Sequence, residues 1–308
     1  CSDLKSLTDL AHSHGMKVLC DEAHGTHLYF GSNLPISGMA AGADLAAVSM
    51  HKSGGSLTQS SVLLTGQNMD KGLVRQIINL TQTTSASYLL LSSLDLSRRN
   101  LALRGKECFD KVVEMAEYAR EEINRIGGYY AYGRELVDGV NVFDYDVTKL
   151  CIYTRNIGLT GIEVYDLLRD EYDIQIEFGD LGSIMAYISI GDRLRDIERL
   201  VGALEDIKRL YAKDGSNLAC VDFIEPEVVK SPKQSFYAEK VSMPLSKSAG
   251  NVCGEFVMCY PPGIPILAPG ERITPEILDY IEYAKAKGCN MTGPEDPDIL
   301  RLNVLEHV

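Results

Sequence analysis

The chain has 308 residues, of which 45% are apolar and 24% charged, and its formal net charge is -13 at pH 7. A chain of this length can bury a substantial core and is typical of a globular protein with two or three domains. The negative charge argues against a nucleic-acid partner, because phosphate backbones are bound by clustered Lys and Arg. No apolar run approaches the roughly 20 residues that a membrane-spanning helix needs, so we expect no membrane association.

The eight cysteines lie apart in the sequence and include no CxxC pair. This spacing is typical of reduced thiols in a cytoplasmic protein rather than of a disulfide framework. Cys253 and Cys259 lie closest to each other, but without a second pair they do not indicate a metal centre. We therefore expect a cytoplasmic protein without a bound metal.

The first 21 residues predict a helix followed by a strand. Apolar residues recur at helical spacing, at Leu4, Leu7, Leu10 and Ala11. The run MKVLCDE then predicts a buried parallel strand over residues 17–20. Such a strand needs neighbours on both sides, and no Met precedes it, so we expect residues upstream of Cys1.

Two further strands and a long helix follow. ADLAAVSMH (residues 43–51) predicts a second buried strand, and SVLLTG (residues 61–66) predicts a third, antiparallel to the second because the connection is short. Residues 87–126 show one helical pattern that ends at Gly127-Gly128. This pattern predicts a helix that connects two domains.

Strand and helix patterns alternate over residues 128–212, which predicts a smaller α/β domain. Its strands are TKLCIYT, IQIEFGD and IMAYISI, and its helices are IEVYDLLRDE and RLRDIERLVGALEDIKRLYA. After the polar stretch AKDGSN, a third region contains GEFVMCYPPGIPILAPGE and a last helix that starts near Pro275. The alternation along the chain predicts a doubly wound α/β sheet.

Two polar motifs each follow a predicted strand, namely CDEAHGTH (residues 20–27) and SMHKSGGSLTQSS (residues 49–61). In open α/β sheets, ligands bind beyond the carboxyl ends of the strands, so we expect these motifs to meet. A lysine beside a carboxylate on the neighbouring strand is what pyridoxal phosphate requires. The amine bonds to the aldehyde of the cofactor, and the carboxylate keeps its ring nitrogen protonated.

A simpler interpretation assigns no chemistry to these residues. Asp21 would cap the following turn, and Lys52 would be a solvated loop residue. The presence of His24, Ser49 and His51 at the same strand ends favours the cofactor site. Hydroxyl groups and an imidazole beside the lysine can receive the phosphate.

Four motifs in order carry a family resemblance: DEAHGTH, SMHKSGGSLTQSS, TTSASYLLLSSLD and YPPGIPILAPGE. They resemble the motifs of the ornithine/lysine/arginine decarboxylases of the aspartate aminotransferase fold type (fold type I), particularly the shorter bacterial members. DEAH-like strings also occur in α-oxoamine synthases, but the four motifs together span nearly the whole chain. The resemblance implies three parts: the second half of a large domain with a mostly parallel sheet (residues 1–105), a connecting helix and small α/β domain (106–215), and a C-terminal decarboxylase domain (216–308).

The resemblance also implies site residues. Lys52 would form the internal aldimine with pyridoxal 5'-phosphate, and Asp21 would pair with the ring nitrogen. Further cofactor contacts would come from Ala23 on the ring face, His24 near the ring 3-hydroxyl, and Ser49 and His51 on the phosphate. In a homodimer or higher homo-oligomer, Thr84 and Ser85 would complete the phosphate site of the other subunit. Glu255 and Glu271 are candidates to bind the basic tail of the substrate, although such glutamates more often are solvated or cap helices.

The sequence departs from the family pattern in several places. Met50 replaces a usual Thr, Gly54-Gly55 would loosen the loop after the lysine, and Cys259 replaces a common Pro. The first part of the family's large domain, with the ring that stacks on the cofactor, has no counterpart here. We therefore expect the site to be incomplete in this chain alone: either a second chain supplies that part, or the polypeptide is a fragment that does not work by itself.

The implied activity is decarboxylation of arginine, lysine or ornithine to the amine, a reaction of polyamine biosynthesis. Two alternatives from other classes remain: another fold-type-I enzyme, such as an α-oxoamine synthase or an aldolase, and an inactive fragment or regulatory partner. His27 has two interpretations as well. It is either a site residue or a side chain that packs under the loop LYFGSNLP.

Overall fold

The computed structural model describes residues 1–214, 224–260 and 263–306 and shows an α/β protein with several sheets. Part of AKDGSN, the predicted boundary after residue 215, and Pro261 and Pro262 of the YPPGIP motif lie outside these residues. Within the described ranges, no helix combines the length and the apolar character needed to cross a membrane.

The helices have the following bounds: α1 (Leu4–Ser13), α2 (Met50–Ser53), α3 (Lys71–Thr81), α4 (Tyr88–Ile126), α5 (Gly161–Tyr172), α6 (Leu194–Tyr211), α7 (Pro232–Tyr237) and α8 (Pro275–Ala286). The strands are β1 (Leu19–Asp21), β2 (Leu45–Ser49), β3 (Ser61–Thr65), β4 (Tyr130–Ala131), β5 (Lys149–Tyr153), β6 (Phe178–Gly179), β7 (Ser183–Tyr187), β8 (Lys240–Pro244), β9 (Val257–Cys259), β10 (Ile264–Leu267), β11 (Met291–Thr292) and β12 (Arg301–Leu305).

The chain forms two compact units. The first comprises Cys1–Gly127, Ala131–Leu150 and Tyr187–Gly202. The second comprises Gly128–Tyr130, Cys151–Ala186 and Ala203–Val308. The three-part division at residues 105 and 215 stays a prediction.

The first unit contains a three-stranded sheet in the order β1-β2-β3. β1 and β2 are parallel, whereas β2 and β3 are antiparallel in a continuous register from Leu45↔Thr65 to Ser49↔Ser61. The predicted antiparallel third strand is therefore confirmed. One of the two pairings in this chain is parallel and the other antiparallel, and the mostly parallel sheet that the resemblance implies stays a prediction. The connection between β2 and β3 is too short for a parallel crossover, which needs a dozen or more residues.

A buried carboxylate joins α1 to the first two strands. Asp44 is only 5% exposed and accepts hydrogen bonds from the Val18 N–H at 3.0 Å, the Lys17 Nζ at 2.9 Å and the His12 ring at 2.8 Å. The backbone N–H of Val18, followed by the Lys17 ammonium, holds the pKa of Asp44 well below its usual range. Asp44 therefore stabilises the folded chain as a carboxylate.

Asp44→Asn should lower the free energy of unfolding by about 2 kcal/mol near neutral pH, the typical size of hydrogen bonds to a charged group. Because the folded-state pKa is depressed, this contribution is present above the ordinary aspartate pKa of about 4 and is lost as the pH falls below it. Urea denaturation near neutral pH and at about one pH unit below that pKa should therefore show the difference from wild type shrinking in acid. Asp9→Asn, which removes an exposed ion pair with Lys5, is the matched control and should change little. An equal loss from Asp44→Asn at both pH values would contradict this origin.

α4 is a continuous helix of 39 residues, which confirms the long predicted helix, and Gly127 ends it with a φ of 69°. It buries one face, formed by Leu101, Phe109, Val112, Ala116, Ala119 and Ile123. From this helix the buried Arg120 donates to the backbone carbonyls of Tyr132 (2.5 Å) and Val147 (3.0 Å). These bonds fix the segment that carries Asp146 in the first unit.

The second unit contains most of a four-stranded sheet in the order β4-β5-β7-β6, together with smaller sheets built from β8 to β12. The predicted strands in TKLCIYT and IMAYISI, the two helices between residues 161 and 211, and the helix from Pro275 are confirmed. Its C-terminal part has a core of buried side chains that includes Leu267, Ile273, Ile277, Ile281, Leu302 and Val304.

Candidate active site

Lys52 lies directly after the second strand, within a single helical turn. β2 ends at Ser49, and α2 begins at the next residue. The Lys52 side chain is exposed, and its Nζ lies 3.3 Å from Nε2 of His24 in the loop that follows β1. The two strand-end motifs therefore meet, as the sequence predicted.

Asp21 is the last residue of β1 and pairs with Ala47 of β2. Its Oδ1 accepts a hydrogen bond from the Ala23 N–H at 3.0 Å, which fixes the first turn of the loop. The Thr26 hydroxyl donates to the Ser49 carbonyl at 3.3 Å and ties this loop to the end of β2. An exposed carboxylate and an exposed amine thus follow two neighbouring strands at their carboxyl ends.

His51 precedes the lysine, and its Nδ1 lies 3.0 Å from the carbonyl oxygen of Ser60. Because a carbonyl can only accept, Nδ1 carries the ring proton. The other predicted phosphate ligand, Ser49, is half-buried and lies two residues before His51, immediately before α2.

The loop after Lys52 is anchored to the long helix α4. The Ser97 hydroxyl donates to the Gly54 carbonyl at 2.5 Å, and the Ser93 hydroxyl accepts from the Leu57 N–H at 2.6 Å. Ser93 belongs to the motif TTSASYLLLSSLD, so one residue of that motif has the structural role of anchoring the loop after Lys52.

Gly55 adopts a φ of 85°, a region that side-chain-bearing residues rarely enter. A Cβ at this position would also come within 2.9 Å of the Ile190 side chain. Gly55 therefore occupies a turn that only glycine adopts readily, and the loosening of the loop that was expected from sequence stays a prediction.

Thr84 and Ser85 lie in the loop between α3 and α4, and both are exposed. The Ser85 N–H donates to the Thr83 hydroxyl at 3.2 Å, a bond local to the loop. Their role toward the phosphate of another subunit stays a prediction.

Glu255 and Glu271 belong to the second unit, and both carboxylates are engaged locally. Glu255 accepts hydrogen bonds from the backbone N–H groups of Asn303 (2.8 Å) and Glu295 (3.0 Å). Glu271 accepts from the Ala268 N–H at 2.7 Å. These bonds give each glutamate a structural role, and binding of a basic substrate by either stays a prediction.

A buried polar cluster close to His24 was not predicted. His27 is fully buried, and its Nε2 lies 2.8 Å from Asp146 Oδ2. The same carboxylate oxygen accepts from Lys149 Nζ at 2.9 Å, and that ammonium lies 4.0 Å from the ring centroid of Tyr187. His27 therefore packs inside the unit, whereas Asp146, Lys149 and Tyr187 come from a segment more than 100 residues away that shows no motif.

Among residues 1–214, 224–260 and 263–306, no group of three or more His, Cys, Asp or Glu side chains is arranged to hold a metal ion. The carboxyl ends of β1 and β2 carry a carboxylate, an amine, imidazoles and hydroxyl groups.

Family comparisons agree with this arrangement along most of the chain. Residues 1–196 match the major domain of the Orn/Lys/Arg decarboxylases, and residues 220–295 match the C-terminal domain of the same family. The chain belongs to the Orn/Lys/Arg decarboxylase family.

Relatives of this family include two proteins named arginine decarboxylase. One, from Halalkalibacterium halodurans, is 42% identical over 99% of this chain, and the other, from Bacillus subtilis, is 41% identical over the same share. The chain spans 63% of the length of each of these decarboxylases.

Solved structures of the family show the same fold. The lysine decarboxylase LdcF of Francisella novicida superimposes with a TM-score of 0.77 over 97% of this chain and 55% of its own length, at 19% identity. Lysine decarboxylase A of Pseudomonas aeruginosa superimposes with a TM-score of 0.78 over 99% of this chain and 56% of its own length, at 17% identity. At these identities the likeness establishes the fold alone.

Proposed function

We propose that this protein decarboxylates a basic amino acid with pyridoxal phosphate bound at Lys52, in the cytoplasm, as a step in polyamine biosynthesis. The observation that carries the proposal is the placement of Lys52 and Asp21 at the carboxyl ends of two adjacent parallel strands in a chain of the decarboxylase family. Arginine is the first substrate to test, because relatives at 40 to 42% identity are named arginine decarboxylase.

The residues present fit pyridoxal phosphate. The site offers an exposed amine, an exposed carboxylate on the adjacent strand, and histidines at both strand ends. Within the described residues, the buried hydroxyl oxygens of Ser53 and Ser56, which follow the lysine, have no hydrogen-bond partner. Buried hydroxyls are normally paired, so these two have donors to offer to a bound group.

Each residue then has a specific task. Lys52 holds the cofactor covalently through its amine, and Asp21 keeps a proton on the ring nitrogen. Pyridoxal phosphate, when bound, accommodates the electron pair that remains after carbon dioxide departs. Ser49 and His51 would bind the phosphate, and the Ala23 methyl group would pack against the ring. His24 would orient the Lys52 amine and contact the ring 3-hydroxyl.

Carbon dioxide release from arginine, lysine and ornithine tests the proposal directly. The purified protein is incubated with pyridoxal phosphate, the visible absorption of bound cofactor is recorded, and the amine product is identified for each substrate. Because this chain spans 63% of its arginine decarboxylase relatives, the assay is run with and without the first part of the family's large domain. With that part present we expect release from a basic amino acid and none from alanine, whereas this chain alone should bind the cofactor weakly and release no measurable carbon dioxide. Cofactor binding by the completed protein without release from any of the three would favour the alternative of a regulatory partner.

The match of residues 220–295 to a decarboxylase C-terminal domain counts against an α-oxoamine synthase or an aldolase. Incubation with glycine and an acyl thioester, or with a β-hydroxy amino acid, provides the discriminating measurement. Product from either reaction in the absence of decarboxylation would replace the proposed function.

We further propose that the protein is a homodimer or a higher homo-oligomer. α3 buries none of its residues, and several apolar side chains on α3 and at the start of α4 are exposed: Leu73, Ile77, Leu80, Tyr88 and Leu89. Exposed apolar patches of this kind mark protein interfaces. The patch flanks Thr84 and Ser85, which supports their predicted role in the phosphate site of a second copy.

Leu80→Lys combined with Leu89→Lys should weaken self-association, because two ammonium groups would have to lose water on assembly. Sedimentation velocity at several protein concentrations measures the effect, and we expect a shift toward the monomer with cofactor uptake reduced in parallel. Leu103→Lys is the matched control, since this leucine is 73% exposed on the same helix, about 20 Å from Leu89 at the helical rise of 1.5 Å per residue. Equal behaviour of the double variant and the control would exclude this patch as the interface.

A further inference from the structure

The side chain of Tyr187 makes ring contacts with His24 and with the buried cluster. Tyr187 is the last residue of β7 and belongs to the first compact unit. Its ring meets the His24 ring edge to face, with centroids 6.4 Å apart and planes at 77°. The His27 centroid lies 6.2 Å away, and the Lys149 ammonium lies 4.0 Å from the Tyr187 centroid. Tyr187 therefore connects the exposed His24 to side chains that are fixed inside the unit.

Asp146 fixes those side chains. Its carboxylate accepts from His27 at 2.8 Å, from Lys149 at 2.9 Å and from the Thr148 hydroxyl at 2.7 Å. Burial acts to raise the pKa of Asp146, but the His27 hydrogen bond and the Lys149 charge outweigh it and hold the pKa well below the usual range. A carboxylate only accepts, so Nε2 of His27 carries the proton in this pair. One carboxylate thus holds His27, Thr148 and Lys149 together, while the buried Nδ1 of His27 has no hydrogen-bond partner in the part of the chain that the structure describes. The contacts of His27 and Lys149 with the Tyr187 ring restrict that ring.

His24 needs such support, because it is exposed and lies in a loop. An exposed imidazole samples several rotamers, and only some of them place Nε2 near Lys52. Edge-to-face ring contacts of this geometry are favourable beyond the area that they bury. Contact with the Tyr187 ring therefore favours the orientation of His24 in which its Nε2 lies 3.3 Å from Lys52 Nζ.

We propose that Tyr187 is a positioning residue that orients His24 toward Lys52, with Asp146, His27 and Lys149 holding the tyrosine ring in place. The importance of this orientation for cofactor binding rests on the proposed function, since Lys52 is the amine that bonds to pyridoxal phosphate. The tyrosine acts through its ring. Loss of the hydroxyl alone should therefore be tolerated, whereas loss of the aromatic ring should not.

The first test uses the protein without cofactor. Selectively ¹⁵N-labelled histidine gives one side-chain spectrum for the six histidines, and His24→Gln identifies the His24 signals. Tyr187→Leu should shift the His24 Nε2 signal, because the ring would no longer be held with Nε2 at 3.3 Å from Lys52 Nζ. Tyr187→Phe keeps the aromatic ring and should leave the signal in place. His12 bonds to Asp44 at the amino ends of β1 and β2, the end opposite to His24, so its signal reports whether the unit remains folded.

The second test measures the rate at which the protein takes up pyridoxal phosphate, from the visible absorption of the bound cofactor. Tyr187→Leu should slow uptake by about two- to tenfold, the range that corresponds to one lost aromatic pair. Tyr187→Phe should take up the cofactor at nearly the wild-type rate. If the tyrosine only filled volume, leucine would serve as well as phenylalanine, and the two variants would behave alike. If Tyr187→Leu does not fold, Tyr187→Met replaces it, because the unbranched thioether fills irregular space without a ring.

An unchanged His24 signal in a folded Tyr187→Leu or Tyr187→Met variant would overturn the proposal, as would equal uptake rates for wild type and that variant. Failure of the wild-type protein to take up pyridoxal phosphate would instead count against the proposed function. In that case the His24 signal still decides whether Tyr187 positions the imidazole.

Discussion

Lys52→Ala should abolish both the visible absorption of bound pyridoxal phosphate and the release of carbon dioxide. The substitution removes the amine that we propose bonds to the cofactor, and the alanine methyl group cannot form that bond. The fold should survive, because the Lys52 side chain is exposed and contacts His24 at its tip. Absorption spectra and carbon dioxide release, measured together with circular dichroism, separate loss of chemistry from loss of structure.

Two further variants sharpen this experiment. Lys52→Arg should fail as completely as alanine, because a guanidinium stays protonated and does not attack an aldehyde. Lys71→Ala removes another exposed lysine of the first unit, at the start of α3, and should retain absorption and turnover. Full activity and colour in Lys52→Ala would mean that a different lysine binds the cofactor and that the assigned site is wrong.

Local patterns predicted most elements of this fold because their signals are contained in short stretches. The helical period over residues 87–126 and the short connection before SVLLTG needed no knowledge of distant residues, and both predictions are confirmed. IQIEFGD was less successful, since only Phe178–Gly179 forms a strand. The reason is that the Ile174 N–H bonds to the Leu168 carbonyl at the end of α5, beyond the left-handed Asp173, and so cannot join a ladder.

The residues of the site also fall into those that local patterns predicted and those that they could not. Lys52 and His24 could be expected to meet because the carboxyl ends of adjacent parallel strands lie side by side, and the register Asp21↔Ala47 is that of a parallel pair. Asp146, Lys149 and Tyr187 could not be placed, because they are brought to His27 by long-range packing and by the bonds that Arg120 makes to the backbone. Nothing in the letters DYDVTKL or IMAYISI marks them as neighbours of a strand end more than 100 residues earlier.

Asp21→Asn should retain the cofactor but lower kcat by about a hundred- to a thousandfold, the usual cost of losing one preorganised electrostatic contact. The amide can still accept the hydrogen bond from the Ala23 N–H, so the loop keeps its shape. It carries no negative charge, however, and cannot hold a proton on the ring nitrogen. The decisive comparison is kcat against KM for the amino acid, because a contact made mainly in the transition state lowers kcat and leaves KM nearly unchanged.

A cofactor analogue tests the cause of that loss. N-methylated pyridoxal phosphate has a permanent positive charge on its ring nitrogen, so it needs no carboxylate to stay charged. It should therefore restore part of kcat in Asp21→Asn while adding nothing to wild type, whereas a merely structural role of Asp21 would leave the variant slow with either cofactor. Asp95→Asn, which removes an exposed carboxylate paired with Arg98, controls for the change in net charge and should behave as wild type. Near-wild-type turnover of Asp21→Asn with the natural cofactor would remove Asp21 from the site, since the electron pair left on decarboxylation would then be stabilised without it.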